Sequence, residues 1–493
     1  MKKVILFTNL LILAFFCIDS FALKVTPGLT LSWSWDRSSF FNDHSDFHAI
    51  MGYPHGKPAI LVYSPNIYNP YAPNQSESFA KLYLTEPEGL NSSNTITNEQ
   101  FFDLRPKNIT REELINTLKE RQEGAKKIIF TLQKISWVAS CKSFYALGSL
   151  SFFSDINYQQ PMSLKPVILT SPDGKQWSVD KEASNIISSK EIMNLVSGNS
   201  KDYPILIALG DDGKIYYKDL RPNGNWHLSN TSSAPRIAHY NNEDVFLDGS
   251  NSILYAYQDK FLLFNGYTKI EENTYKMKET FLVGEVNKKG LEWKSLSPPS
   301  ESLLTNEFIL VEGLGKMMVR FAKVESIDTE GYSTLSEKSN DQGYAELSID
   351  EATNTLVLNN KISDAMTSFT PDLFTSAEHP DNQKLKSAMF LSPSASSTEG
   401  TYYLIFSDPK DYFSSFYWTK INSLQELAQP KLMHLELEDG HPIRLFGNFE
   451  NPEFQNDFLS INNQTYLLGE TLPDNPATPA VIATFYRIKD DNN

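Results

Sequence analysis

The densest grouping of metal-binding residue types in this chain is Asp43-His44-Ser45-Asp46-Phe47-His48. On an extended strand alternate residues share a face, so His44, Asp46 and His48 would present two imidazoles and a carboxylate together, as a metal site requires. No second cluster completes a coordination sphere, and the reading adopted is a solvated polar loop that holds no metal. The closest carboxylates, Glu243, Asp244 and Asp248, raise glycoside hydrolysis, which needs two carboxyl groups about 5 to 10 Å apart. In a chain with 60 acidic residues a close pair arises by chance, so nearness in sequence does not select these three. Gly210-Asp211-Asp212-Gly213-Lys214 lacks the spaced acids and terminal glutamate of a calcium loop and reads as a hairpin turn. Cys141, in the apolar stretch Val138-Ala139-Ser140-Cys141, reads as an inert buried thiol. Gly-x-Ser-x-Gly, His-Glu-x-x-His and Walker patterns are absent. No catalytic residue, metal or cofactor is therefore assigned, and binding is expected ahead of catalysis.

One stretch carries structural chemistry. In Ser171-Pro172-Asp173-Gly174-Lys175-Gln176-Trp177, the short polar side chains of Ser171 and Asp173 can cap the amides of a tight turn. Gly174 can take a positive φ, and Trp177 can bury a large surface between sheets. This run resembles the Asp-box of sialidase-type bacterial β-propellers, Ser/Thr-x-Asp-x-Gly-x-x-Trp/Phe, with one residue fewer between Asp and Gly. Lys288-Lys289-Gly290-Leu291-Glu292-Trp293 keeps only the Gly and Trp, and Asn223-Gly224-Asn225-Trp226 is fainter. The resemblance implies a hairpin between the third and fourth strands of a blade, away from any catalytic face, and so concerns scaffold rather than chemistry. A sialidase of that family would also place three arginines on a carboxylate, the first in Arg-Ile-Pro. Here the nearest echo is Arg236-Ile237-Ala238, nine arginines exist in all, and three of them (Arg105, Arg111, Arg121) crowd one short region. Sialidase activity is not expected. A diverged glycoside hydrolase on the same scaffold is the alternative to a binding protein, and a structural cell-envelope component is the third.

The elements that must hold such a turn are strands. Leu29 to Trp35 and Ala59 to Tyr63 read as strands in an otherwise irregular region 23–127, where Pro65, Pro70 and Pro73 break regular structure. Thr110-Arg111-Glu112-Glu113 is a capping box that opens one short helix, about 111–123, with Leu114, Ile115 and Leu118 as its apolar stripe. From 128 to 493, runs of β-branched and aromatic residues alternate with turn formers: Val167 to Thr170, Ile205 to Leu209, Ile215 to Tyr217, Ile253 to Tyr257, Phe261 to Phe264, Phe281 to Val286, Phe308 to Val311, Met317 to Phe321, Thr355 to Leu358, Tyr402 to Phe406, Phe458 to Ile461 and Val481 to Ile488. Only Ser423 to Ala428 offers a further helix. An all-β architecture follows, a β-propeller of antiparallel four-stranded blades with the N-terminal region packed on it. Turn glycines Gly174, Gly213, Gly290 and Gly331 fall near multiples of 40 residues, the length of a blade.

Residues 1–22 read as a secretory leader: Lys2 and Lys3, an apolar run from Val4 to Phe16, and the small residues Ser20 and Ala22, with cleavage expected after Ala22. The run is too short and interrupted to span a membrane, and two phenylalanines precede Cys17 where a lipoprotein signal wants small residues. A secreted or periplasmic location is expected, with no integral membrane segment in the mature chain. Removing Lys2, Lys3 and Asp19 leaves 42 basic and 59 acidic residues, a net charge of −17. That balance argues against nucleic acid and leaves a protein or glycan as the expected partner of a monomer. Cys141 is the one cysteine left, so no intrachain disulfide forms, and 471 residues must rely on apolar burial.

Overall fold

The structure, a computed structural model, describes residues 22–34, 47–64, 77–110, 112–113, 127–153, 163–189, 191–200, 203–211 and 213–229. It also describes parts of 239–363, and the strands and turns within 388–391, 402–408, 411–421, 423–428, 433–441, 458–461, 464–471 and 480–488. The leader other than Ala22, and the proline cluster Pro65, Pro70 and Pro73, lie outside these residues.

The described strands form seven antiparallel four-stranded units. Sheet I holds His48–Gly52, Ala59–Ser64, Lys81–Thr85 and Phe102–Asp103; sheet II holds Lys127–Val138, Ser143–Phe153, Ser163–Ser171 and Ser178–Val179. Sheet III holds Ile192–Ser200, Tyr203–Gly210, Ile215–Asp219 and Trp226–Leu228; sheet IV holds Ser252–Tyr257, Lys260–Asn265, Thr280–Asn287 and Gly290–Leu296. Sheet V holds Ser302–Val311, Lys316–Ala322, Gln342–Asp350 and Thr355–Ser363, and sheet VI holds Ala388–Leu391, Tyr402–Asp408, Asp411–Ile421 and Met433–Leu437. Sheet VII is made from both chain ends: Phe458–Ile461, Gln464–Thr471 and Ala480–Ile488, completed by Ala22–Ser34. The fold is an all-β propeller.

Runs that are apolar without alternation are strands buried on both faces. In Tyr203–Gly210, Leu206 and Ala208 join a core cluster with sheet II, while Ile205, Ile207 and Leu209 join another with sheet IV. In Ala59–Ser64, Leu61 and Tyr63 face sheet II, and Ile60 and Val62 face sheet VII. A further cluster joins sheets IV and V through Phe281, Val283, Val319 and Leu347. Each core therefore lies between successive sheets, and radial repetition hides sheet edges without disulfides.

The first strand closes the ring. Thr30 to Ser34 pair antiparallel with Thr484 to Ala480, and Ala22 to Val25 pair parallel with His434 to Leu437 of sheet VI, an attachment reinforced by the Lys24–Glu436 ion pair.

Several expectations change here. Region 23–127 is not irregular where described: it supplies sheet I and the closing strand. Its strands Ala22–Ser34 and Ala59–Ser64 fall where the sequence reads strands, but the last strand of sheet I is two residues long and follows 3-10 turns at Pro87–Asn91 and Asn98–Gln100, so no apolar run announces it. The capping box forms as read, with Thr110 N donating to Glu113 Oε2 at 2.8 Å and Glu113 N to Thr110 Oγ1 at 3.1 Å. Residues 112–113 are helical, and the rest of 111–123 lies outside the described residues. A second helix, Lys181–Ile186, was not foreseen, and 423–428 holds a 3-10 turn, Leu424–Ala428. The turn glycines do not mark one repeating position. Gly174 and Gly290 belong to turns from third to fourth strand, but Gly213 sits in a turn from second to third. Gly331, outside the described residues, falls between strands Val324–Ile327 and Tyr332–Leu335 of a hairpin inserted in sheet V.

Candidate functional site

In an antiparallel meander the turns from first to second and from third to fourth strand share one end, and the remaining connections share the other. The first end is compact in sheets II to V, with turns such as 139–142, 172–177, 258–259 and 351–354. Strands that meet at the other end are separated in sequence by 65–80, 229–251 and 364–387, much of which lies outside the described residues, while 106–108, after the fourth strand of sheet I, lies beside Trp177. Two hairpins inserted at that other end, in 266–279 and 323–341, pair with each other through Thr274–Lys276 and Tyr332–Leu335 into a separate four-stranded sheet over sheets IV and V. The inserted hairpin of sheet V is braced at its base, where Ser336 N donates to Lys323 O at 2.8 Å and Lys323 N to Asp341 O at 2.9 Å.

At the compact end, Ser171, Asp173, Gly174 and Trp177 come together as one turn between the third and fourth strands of sheet II. Ser171 Oγ accepts from Gly174 N at 2.8 Å and donates to Asp173 Oδ1 at 3.1 Å; that carboxylate oxygen also accepts from Lys175 N at 2.9 Å and Gln176 N at 2.7 Å. Partial burial alone would raise the Asp173 carboxyl. The amides of Gln176 and Lys175 and the Ser171 hydroxyl outweigh it and hold the carboxyl below its ordinary value. Gly174 has φ 74°, and a Cβ there would stand 3.3 Å from Leu84 Cδ1. Trp177 is fully buried, and its Nε1 donates to Gly174 O at 3.0 Å.

The two fainter sequence echoes fall at the same place in the next two sheets. Trp226 opens the fourth strand of sheet III and Trp293 lies in that of sheet IV, both buried. Around these strands the chain makes an arrangement that sequence reading missed: residues following one sheet's fourth strand bond to the fourth strand of the next. Lys107 N donates to Trp177 O at 2.9 Å, and Asn108 pairs with the Val179 backbone. Trp226 N donates to Glu182 Oε1 at 3.0 Å, Ser229 Oγ to Leu291 O at 3.4 Å, and Leu356 N to Ser297 O at 3.0 Å. Asp180 is central to this series. Its Oδ1 caps the helix by accepting from Ala183 N at 3.1 Å, while Oδ2 accepts from Lys218 Nζ at 2.7 Å and Trp226 Nε1 at 2.9 Å. An aspartate directly before a helix-forming stretch is a readable N-cap, and that was the available signal.

The other sequence candidates do not converge. His44 and Asp46 lie outside the described residues, and His48 is buried in the first strand of sheet I with its ring 5.3 Å from Tyr63. Glu243 and Asp244 form a two-residue strand with His239–Tyr240 in the connection from sheet III to sheet IV; Asp248 and Arg236 lie outside the described residues. Gly210 to Lys214 is the expected hairpin, closed by Gly210 N donating to Lys214 O at 2.8 Å. Cys141 is half-buried rather than buried, and desolvation pushes its thiol above the ordinary value. Among the described residues no His, Cys, Asp and Glu group could hold a metal ion, and no helix is long and apolar enough to cross a membrane.

No family model and no curated protein matches the chain. Solved structures do. The Bombyx mori GH32 beta-fructofuranosidase BmSUC1 is 11% identical with TM-score 0.29, over 95% of this chain and 93% of that one. The GH93 alpha-L-arabinofuranosidase of Fusarium graminearum is 8% identical with TM-score 0.29, over 59% of this chain and 92% of its own. The Myceliophteria thermophila Cps50 (Swd1) β-propeller domain is 8% identical with TM-score 0.28, over 75% and 98%. The fold assignment rests on the strand pairing described above.

Proposed function

We propose that this chain is an exported, monomeric, non-enzymatic propeller that recognises a protein or glycan through the end bearing its long connections. The observation that carries this reading is the asymmetry between the ends. Loops displayed by a rigid scaffold are where binding residues accumulate, and in sheets II to V the described insertions, the paired hairpins of sheets IV and V, lie on one side. The turn Ser171 to Trp177 is taken as a variant Asp-box with a scaffold role. Cleavage after Ala22 leaves Leu23 to Ser34 free to close the ring, and N-terminal sequencing of exported protein should begin at Leu23.

The test uses residues 23–493. Fluorogenic glycosides should be left intact, while a glycan array or partner capture should give a ligand. Replacing the inserted hairpin between Asn265 and Thr280 by a tight turn should abolish its binding and leave the melting temperature of the propeller within a few degrees. Turnover of a glycoside, abolished by substituting Glu243 or Asp244, would favour the hydrolase reading instead.

A further inference from the structure

We infer that the end of sheets I and II bearing the turn Ser171 to Trp177 is a second, separate interaction surface, a cationic platform for an acidic polysaccharide. The mature chain has a charge of −17, yet four exposed lysines lie on or beside these turns. Lys57 lies in the turn from first to second strand of sheet I, and Lys142 in that of sheet II. Lys175 lies in the turn from third to fourth strand of sheet II, and Lys107 is bound by its backbone to Trp177 at the end of the same turn. None of the four has an ion-pair partner among the described residues. By contrast, the cation of the neighbouring sheet III turn, Arg221, is held in a fork by Asp219 and laid on the Tyr203 ring at 4.4 Å.

Not every acid near the platform is neutralised. Asp173 lies inside it and stays ionised, its Oδ1 held by two amides and the Ser171 hydroxyl, so it sets one negative charge against the four lysines. Asp180 is paired with Lys218 and bonded to Trp226. Glu112 and Glu113 stay exposed on the connection that carries Lys107, Glu113 accepting from the Thr110 amide. Glu86, Glu88 and Glu99 sit on the connection 86–101, which runs to the closing strand of sheet VII, where Thr30 N donates to Asn94 O at 3.0 Å. His55 adds an imidazole beside Lys57, and Tyr53 exposes 45% of its surface in the same turn. Lysines carried on a rigid turn scaffold beside an exposed aromatic ring suit a polymer with regularly spaced anionic groups and sugar faces to stack. An anionic bilayer is the poorer match, because a charged plane meets the field of the whole acidic chain, whereas a single polymer strand meets these turns alone.

The experiment measures binding of residues 23–493 to polygalacturonate and dextran sulfate at low and high salt, with neutral dextran, phosphatidylglycerol vesicles and duplex DNA alongside. Salt-sensitive binding to an acidic polysaccharide, and to neither dextran nor vesicles, is expected. The variant K57Q/K107Q/K142Q/K175Q should bind at least about tenfold more weakly with an unchanged melting temperature. Removing charges at Lys294, Lys323, Lys338 and Lys361 should leave binding intact. If the quadruple variant loses stability, Lys175→Gln alone should still weaken binding measurably. Absence of binding at low salt, equal weakening by both lysine sets, or vesicle or DNA binding as tight as polysaccharide binding would each overturn the assignment.

Discussion

Trp177, directly before the fourth strand of sheet II, and Trp293, within the fourth strand of sheet IV, are both buried, yet only one is anchored through its indole nitrogen. Trp177 Nε1 donates into its own turn, whose Ser171 and Asp173 bond three further amides between them. Trp293 Nε1 is buried with no hydrogen-bond partner among the described residues, and its ring lies over Gly284, its cross-strand neighbour. Trp226 stands between them, its N–H satisfied not by its own turn but by Asp180 of the preceding sheet. The comparison separates two roles that a sequence motif merges. A tryptophan on the fourth strand serves as an apolar wedge between sheets wherever it occurs, while the serine, aspartate and glycine serve only to fix the turn before it.

The largest expected effect removes the wedge where it is best anchored. Trp177→Ala should destabilise by about 3–5 kcal/mol in urea unfolding, because it empties the core shared by Leu61, Phe144 and Leu169. A loss under about 1 kcal/mol would mean that the turn's hydrogen bonds, not the ring, hold sheets I and II together. Next comes Gly284→Ala. Its new Cβ would stand 2.9 Å from the Trp293 ring, so a cost of about 1–3 kcal/mol is expected from overpacking. The double variant Gly284→Ala with Trp293→Leu should recover part of that loss if the clash is the cause.

How much of this was readable beforehand differs between the two features. The long apolar strands and the turn Ser171 to Trp177 were legible, because burial on both faces demands unbroken apolar runs and a tight turn demands particular residues. Sheet I was legible only in its second strand, Ala59 to Tyr63, since its last strand is only Phe102–Asp103 and its partners lie apart in sequence. The closing strand was read as a strand, but its partners near 434–437 and 480–488 are set by ring geometry, which no local pattern encodes. The glycine spacing failed because Gly213 sits in a different turn from Gly174 and Gly290, and Gly331 falls in the stretch inserted in sheet V. Asp180 was missed: its capping role has a local signal, but that its other oxygen reaches Trp226 depends on how sheets II and III meet.

A smaller effect tests the polar half of the comparison. Asp173 has a folded-state value below its unfolded one, so its contribution to stability is present above about pH 3.9 and is lost as pH falls through the folded value. Asp173→Asn should therefore melt below the parent at neutral pH, and the gap should close on acidification. A gap of constant size between about pH 3 and 7 would show that the turn uses the oxygen's position and not its charge.

The smallest expected effect is the most discriminating. A buried donor without an acceptor costs free energy, and replacing it with an apolar group of similar shape removes that cost while giving up some packing. Trp293→Phe should accordingly change stability by no more than about 1 kcal/mol in either direction, whereas Trp177→Phe loses ring volume and also leaves Gly174 O without its donor, and should cost clearly more. If the two phenylalanine variants lose equal stability, the indole N–H of Trp177 contributes nothing beyond its ring. The turn in sheet II would then be a wedge like the one in sheet IV, with its serine and aspartate reduced to ordinary hairpin residues.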